Sequence, residues 1–300
     1  MVTAGKGAVA AIGNFDGVHR GHRFLIAETA KIARAEMAPV GVVVFDPHPR
    51  RFFQPDAPPF LLTMPERRDA LLKEAGVDIV HSVRFDAALA AMTPEAFVRD
   101  VLKARLGLSG VVAGSEFRFG KGRSGDAAGL KRLCEAEGVS AHLVEPLADA
   151  SHTEKIGSSA IRAALQNGAV REAAQMLGHP WTVGGLVEKG RELGRTIGFP
   201  TANLTLGELV EPRKGVYAVR ATTGGKTYGA VANFGRRPTV GDSPPLLETY
   251  LFDFSGDLYG ARLDVAFADF IRDEKKFDGL DTLKAQIAKD CEEARRLLAR

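Results

Sequence analysis

Cysteine is scarce in this 300-residue chain, and that scarcity excludes two classes of protein. Cys134 and Cys291 cannot build a disulfide framework, and the chain has no Cys-x-x-Cys pair for zinc or redox chemistry. Long apolar runs are missing too, since none approaches the ~20 residues that span a bilayer. We therefore expect a cytoplasmic protein without a membrane partner.

An excess of charge of one sign is also missing. Lys and Arg total 40 and Asp and Glu total 37, a net charge of +3, and neither a basic tail nor an acidic block is present. Proteins that bind nucleic acid carry clustered basic residues, so we expect no nucleic-acid partner. The length indicates about two domains of ordinary globular composition.

The composition changes near residue 180, where we place a boundary between domains of residues 1–180 and 181–300. All four tyrosines and the single tryptophan follow it. Before it, apolar runs alternate with helical stretches, which predicts an α/β fold with a Rossmann-like, doubly wound parallel sheet. The predicted strands are Val9–Ile12, Val40–Phe45, Ile79–Val83, Gly110–Ala113 and Ala141–Val144; the predicted helices are His22–Glu36, Glu66–Glu74, Pro94–Leu106 and Leu130–Glu137.

After residue 181 the apolar runs are short and separated by turns, which predicts a small antiparallel β-barrel. Helical spacing predicts a terminal helix in Gly279–Arg300, and Ser158–Leu177 also looks helical. The predicted barrel strands are Trp181–Val187, Gly215–Ala221, Tyr228–Asn233, Glu248–Phe254 and Arg262–Arg272.

The first predicted strand runs into the motif Gly13–His22, GNFDGVHRGH. Glycines after a strand let the backbone approach a phosphate, and a following helix N-terminus favours anions. His19 and His22 lie three apart, so both can face one ligand and stabilise charge on an α-phosphate if a helix starts here. A metal pair or two surface histidines are the alternatives.

This motif resembles the HxGH nucleotidyltransferase superfamily and, more closely, the adenylyltransferase module of prokaryotic bifunctional riboflavin kinase/FAD synthetases. Phe45–Pro49, Gly114–Asp126 and Ile156–Arg162 follow in the order of that family. The resemblance implies transfer of AMP from ATP to FMN, which yields FAD and pyrophosphate, with His22 as a catalytic residue. It implies ATP or phosphate binding by Gly13, Phe15, His19, His22, Ser158, Ser159 and Arg162, and flavin binding by Asp46, Glu116 and Arg118.

The second half carries oxygen donors suited to a magnesium nucleotide. Thr201 and Asn203 lie two apart, so an extended backbone points both to one side, and oxygen ligands suit Mg²⁺. A simple turn is the alternative. Glu248 opens an alternating strand, where a carboxylate is either solvated or the proton acceptor for a hydroxyl nucleophile.

The fragment GFPTAN, Gly198–Asn203, resembles the riboflavin kinase module of the same family. Further fragments follow in order: Lys214–Tyr217, Asn233–Thr239, Glu248–Phe254, Asp257–Gly260 and Phe270–Phe277. The resemblance implies phosphorylation of riboflavin to FMN, with Thr201 and Asn203 on Mg²⁺–ATP and Glu248 as the base. It also implies phosphate binding by Gly194, Gly198 and Thr201 and flavin binding by Arg272, for which a structural ion pair is an equal alternative.

We therefore expect one enzyme that uses Mg²⁺ and ATP on riboflavin and FMN, with apoflavoproteins as acceptors of its FAD. A cytidylyltransferase or pantetheine-phosphate adenylyltransferase would also fit HxGH, but the fused GFPTAN module argues against it. A flavin-responsive regulator that binds RNA is the rival from another class. The even charge and the intact His19, His22 and Arg162 argue against that rival.

Overall fold

The computed structural model describes residues 7–145, 157–189, 198–236 and 245–300. Contacts divide the chain into two compact units, Met1–Ala57 with Pro65–Gly157, and Pro58–Met64 with Ser158–Arg300. The second unit takes in a short segment of the N-terminal half and the helical stretch after residue 157. The boundary at residues 180 and 181 stays a prediction.

Parallel strands form the sheet of the first unit, in the order β3 (Ile79–Arg84), β2 (Val40–Asp46), β1 (Val9–Ile12), β4 (Gly110–Gly114) and β7 (Ser140–Val144). The order reverses at β1, whose four residues are all buried, as expected of a strand covered on both faces. A Rossmann-like, doubly wound sheet is thereby confirmed. The strands of this unit are β1 Val9–Ile12, β2 Val40–Asp46, β3 Ile79–Arg84, β4 Gly110–Gly114, the short pair β5 Arg118–Phe119 and β6 Gly125–Asp126, and β7 Ser140–Val144.

Helices connect these strands and cover the sheet. The short helices α2 (Pro49–Phe53) and α4 (Ala87–Ala90) were absent from the prediction, because a single turn is too short for apolar periodicity to reveal. The helices are α1 Arg20–Ala35, α2 Pro49–Phe53, α3 Pro65–Glu74, α4 Ala87–Ala90, α5 Pro94–Ala96, which continues as a π-helix over Phe97–Arg105, and α6 Ala127–Ala136.

The second unit is a nearly closed antiparallel barrel of strands in the order β8 (Thr182–Leu186), β13 (Arg262–Arg272), β10 (Gly215–Thr223), β11 (Lys226–Gly235), β12 (Leu246–Leu251) and β9 (Ala202–Thr205). Closure comes from Glu188, whose backbone N–H donates to the carbonyl of Asn203 at 2.9 Å. Its elements are α7 Ser158–Gln166, α8 Val170–Leu177, β8 Thr182–Leu186, β9 Ala202–Thr205, β10 Gly215–Thr223, β11 Lys226–Gly235, β12 Leu246–Leu251, β13 Arg262–Arg272 and α9 Leu280–Leu298.

Two features of this unit were not predicted. Strand β9 was missed, because it is short and contains asparagine, which is depleted in strands. The stretch 158–177 is two helices rather than one, since Gly168 takes a left-handed φ of 80° between them.

Buried aromatic rings fill the barrel of the second unit. Trp181 and Tyr217 each lie 4.9 Å from Phe267 between ring centroids, and all three are buried. The indole Nε1–H of Trp181 donates to the carbonyl of Leu62 at 2.9 Å, which ties the segment 58–64 to this unit. Outside the barrel, α9 packs its apolar side on the outer face of β10 and β11.

Candidate active sites

The loop Gly13–His19 leaves the carboxyl end of β1, where the strand order reverses and doubly wound sheets bind ligands. Phe15 and Val18 take left-handed φ values of 52° and 41°, which is unfavourable for a β-branched valine. Both side chains are fully buried, and His19 is nearly so. Packing thus holds this loop in a strained conformation, as is common at ligand sites.

His19 and His22 form a stacked pair at the start of α1. His19 caps the helix, and its Nδ1 accepts the backbone N–H of His22 at 3.3 Å. The ring centroids lie 3.6 Å apart with 16° between the planes, and the Phe15 ring lies 5.0 Å from His22. The expectation that both histidines share one side of the helix start therefore has a geometric basis.

Burial, with a smaller contribution from His19, lowers the pKa of His22 well below its ordinary value. His22 is therefore neutral at physiological pH. Its Nδ1 is buried and has no hydrogen-bond partner among the residues described. An anion at the helix N-terminus would favour the protonated imidazole, so this pair can supply positive charge when a phosphate arrives.

Three predicted flavin ligands lie in the first unit. Asp46 ends β2, Glu116 lies in the turn after β4, and Arg118 begins β5. All three are exposed. Because parallel strands present their carboxyl ends at one edge of a sheet, Asp46 and the turn with Glu116 lie at the edge that carries the loop Gly13–His19.

The predicted phosphate ligands Ser158, Ser159 and Arg162 lie on α7, in the second unit. Arg162 is partly engaged there, since its Nε–H donates to the carbonyl of Phe60 at 2.6 Å and its guanidinium lies 5.6 Å from the Phe60 ring centroid. Arg162 therefore also holds the segment 58–64.

The register of the barrel aligns Asn203, Glu248 and Asn233 in one row. Asn203 on β9 lies directly opposite Glu248 on β12, which lies directly opposite Asn233 on β11. Directly opposite residues point to the same face, with Cβ atoms about 4.5–5.5 Å apart. Asn203 is buried, and the other two are half-buried. Residues far apart in sequence thus form one polar cluster.

The GFPTAN motif leads into this row. Gly198 is exposed with a left-handed φ of 88°, a conformation that favours glycine. Phe199 packs edge-on against Tyr250 with ring centroids 5.3 Å apart. Thr201 is half-buried and immediately precedes β9. Gly194 lies outside the described residues.

Arg272 lies in the same row through Val216, but its guanidinium is engaged by protein groups. Nε and Nη2 donate to the two carboxylate oxygens of Asp290 at 2.8 and 2.6 Å, and Nη1 donates to the carbonyl of Asp273 at 2.8 Å. Gln286 also donates to Asp290, at 2.9 Å. This geometry is that of an ion pair anchoring α9, and a flavin contact of Arg272 stays a prediction.

The oxygen donors at the barrel row fit a magnesium ion that arrives with a nucleotide. Thr201 and Asn203 offer neutral oxygens, and Mg²⁺ usually takes one or two protein ligands together with phosphate oxygens and waters. Among the described residues, no group of three or more His, Cys, Asp or Glu side chains is placed to hold a metal.

Sequence reasoning assigned no role to Asn233, although it lies in a quoted fragment of the kinase-like half. Its place beside Glu248 appears only once the register of β11 and β12 is known. The one available signal was an asparagine within a predicted strand, where this residue type is depleted.

Two family models match the chain in sequence. A model described as FAD synthetase matches residues 2–160, and one described as riboflavin kinase matches residues 177–298. Relatives named bifunctional riboflavin kinase/FMN adenylyltransferase include one from Escherichia coli (strain K12), 43% identical over 286 residues, which cover 95% of this chain and 91% of that protein. The relative of that name from Bacillus subtilis (strain 168) is 37% identical over 292 residues, covering 96% and 91%.

A solved structure extends the likeness to the whole fold. The crystal structure described as a macrolide-efflux protein from Streptococcus pneumoniae has a TM-score of 0.86 and 34% identity, covering 97% of this chain and 94% of that chain. The description of that structure names a different activity, so we base the family on the two models and the named enzymes. No helix in the described ranges has the length and apolar character to cross a bilayer. The chain belongs to the family of bifunctional riboflavin kinase/FMN adenylyltransferases, with its FAD synthetase part first and its riboflavin kinase part second.

Proposed function

We propose that the two reactions of the family are divided between the two sites described above. The stacked histidines at the end of β1 serve the transfer of AMP to FMN, and the polar row on the barrel serves the phosphorylation of riboflavin. The observation that carries this division is the register that sets Glu248 directly opposite Asn203, next to the GFPTAN motif.

In the kinase step, Glu248 accepts the proton of the ribityl 5′-hydroxyl as its oxygen attacks the γ-phosphorus of ATP. The new O–P bond forms while the bond from the γ-phosphorus to the bridging oxygen breaks, and ADP leaves. Thr201 and Asn203 would hold Mg²⁺, which neutralises phosphate charge when bound. Gly198 and Gly194 are proposed to let the preceding loop approach the phosphates.

In the adenylyl transfer, a phosphate oxygen of FMN attacks the α-phosphorus of ATP, and pyrophosphate leaves. The nucleophile needs no base, because a phosphate monoester is largely ionised near neutral pH. His22 and His19 stabilise the charge that develops on the α-phosphate, and Gly13 and Phe15 shape the loop around it.

The remaining predicted ligands keep their assignments as proposals. Ser158, Ser159 and Arg162 are proposed for phosphate, and Asp46, Glu116 and Arg118 for the flavin. Arg272 is also proposed for the flavin, although its guanidinium already donates to both carboxylate oxygens of Asp290.

We further propose modules of residues 1–180 and 181–300. Because both reactions use ATP, the cytoplasm is the proposed location of the enzyme. Apoflavoproteins are the proposed acceptors of FAD.

A product assay tests the proposal. The chain is incubated with riboflavin and Mg²⁺–ATP, and in parallel with supplied FMN, with chelator-treated samples as controls. We expect FMN and then FAD from riboflavin, FAD from FMN, and neither product with chelator. FMN without FAD would remove the adenylyltransferase assignment, and the absence of both products would favour a flavin-binding regulator.

A further inference from the structure

Asn233 is placed where a strand residue of its type is unexpected. It lies in β11 between Ala232 and Phe234, whose side chains are buried. Because side chains alternate along a strand, Asn233 points to the opposite face, which also carries Glu248. Asparagine is depleted in strands, so its presence here needs a reason other than strand formation.

Hydrogen bonding among the described residues does not supply that reason. Asn233 is half-buried, and its side chain makes no hydrogen bond to another described residue. Elsewhere on the same face, Val216 and Val231 support the apolar contact with α9. The amide of Asn233 instead lies beside the carboxylate proposed as the base.

The chemistry of an amide suits a polyol. The amide oxygen accepts a hydrogen bond and the NH₂ group donates one, so an asparagine can bind a hydroxyl either as acceptor or as donor. Riboflavin carries a ribityl chain whose other hydroxyls lie close to the reacting 5′-hydroxyl. An amide about 5 Å along the row from the base, at the spacing of opposed Cβ atoms, is placed to hold a neighbouring hydroxyl while the base takes the proton.

We propose that Asn233 is a substrate-positioning residue of the kinase step, whose amide binds a ribityl hydroxyl next to the one that is phosphorylated. This rests on the proposed role of Glu248. When Asn233 holds the neighbouring hydroxyl, the 5′-oxygen is aligned between Glu248 and the γ-phosphate. Small misplacements of a reacting atom lower the reaction rate strongly.

The test compares N233A and N233D with T227A, a matched change near the far end of β11. Thr227 is exposed, and its hydroxyl shares a hydrogen bond with the hydroxyl of Thr222 across the hairpin, at 2.9 Å. We expect N233A and N233D to lower kcat/KM for riboflavin by about 10- to 100-fold, with kcat reduced as well as KM raised. T227A should leave both constants unchanged, and all three variants should convert supplied FMN to FAD at the normal rate.

Riboflavin analogues that lack the 2′-, 3′- or 4′-hydroxyl identify the contact. The analogue that lacks the hydroxyl bound by Asn233 should be a poor substrate of the unchanged chain. N233A should lower kcat/KM for that analogue little further, because the same hydrogen bond is already absent. N233A activity within about twofold of the unchanged chain, or additive losses with all three analogues, would overturn the proposal. Failure of the base is seen separately, as full activity of E248Q.

Discussion

The two units assemble their sites in opposite ways. In the first, a contiguous loop of the chain delivers both histidines to the end of one strand, and the sheet supplies only the edge. In the second, three strands each contribute one residue, and their alignment depends on pairing over long sequence distances. The site of the first unit can thus be recognised as a motif in the sequence. The row of residues in the second unit exists only after the barrel has formed.

The largest effect is expected for Glu248→Gln. Glutamine matches glutamate in size but cannot accept the hydroxyl proton, so we expect the kinase rate to fall about 10²–10⁴-fold. Conversion of supplied FMN to FAD and the thermal midpoint should not change. A kinase rate close to that of the unchanged chain would remove Glu248 from the mechanism.

His22→Ala probes the loop site in the same manner. Loss of one positioned donor to transition-state charge costs about 2.7–4 kcal/mol, so FAD formation from FMN should fall about 10²–10³-fold. FMN formation from riboflavin should be normal. The control is Met37→Ala in the exposed turn after α1, because Arg20 at the start of the same helix is half-buried and directly follows His19. Equal FAD rates in both variants would contradict the role of His22.

Asp290→Asn should lower the stability of the second unit. The side chains of Arg272 and Asp290 are 16% and 5% exposed, and the change leaves the arginine without its counter-charge. Breaking a buried pair of this kind costs about 3–5 kcal/mol, so thermal unfolding should show a lower midpoint for the kinase part. A midpoint equal to that of the unchanged chain would mean that the pair does not anchor α9.

Low pH should weaken the first unit through His22. Its pKa in the folded chain lies well below the 6.5 of an ordinary histidine. Below pH 6.5 the unfolded chain therefore binds a proton that the folded chain does not, and stability falls as the pH falls. The drop in thermal midpoint between about pH 7.5 and pH 5.5 should be smaller in His22→Gln. An identical drop in both proteins would refute this assignment.

The smallest effect is expected for Asp253→Asn. Arg295 donates to both carboxylate oxygens of Asp253 at 3.0 and 3.1 Å, which resembles the Asp290 pair, but both groups are exposed to solvent. Exposed pairs contribute little because water and salt screen them. Thermal unfolding should hardly distinguish this variant, and a shift as large as that of Asp290→Asn would contradict the role given to burial.

The same contrast explains how much the sequence could predict. The glycine loop and its histidines were predictable, because a strand, a turn and a helix start follow one another without a gap. The family resemblance implied that Glu248 and Asn203 serve the same reaction, but their pairing was not predictable, since neither spacing nor periodicity contains strand register. The partner of Arg272 was also out of reach, because Asp290 lies on a helix whose docking depends on the finished barrel.

That each reaction has its own complete site can be tested by mixing two impaired variants. Glu248→Gln should make FMN at least about 10²-fold more slowly, and His22→Ala should use FMN at least about 10²-fold more slowly, so either variant alone should convert riboflavin to FAD only slowly. Equal amounts of both, with riboflavin and Mg²⁺–ATP, should form FAD after a lag in which free FMN accumulates. A mixture that makes FAD no faster than either variant alone, while each variant retains its other reaction, would contradict two separate and complete sites.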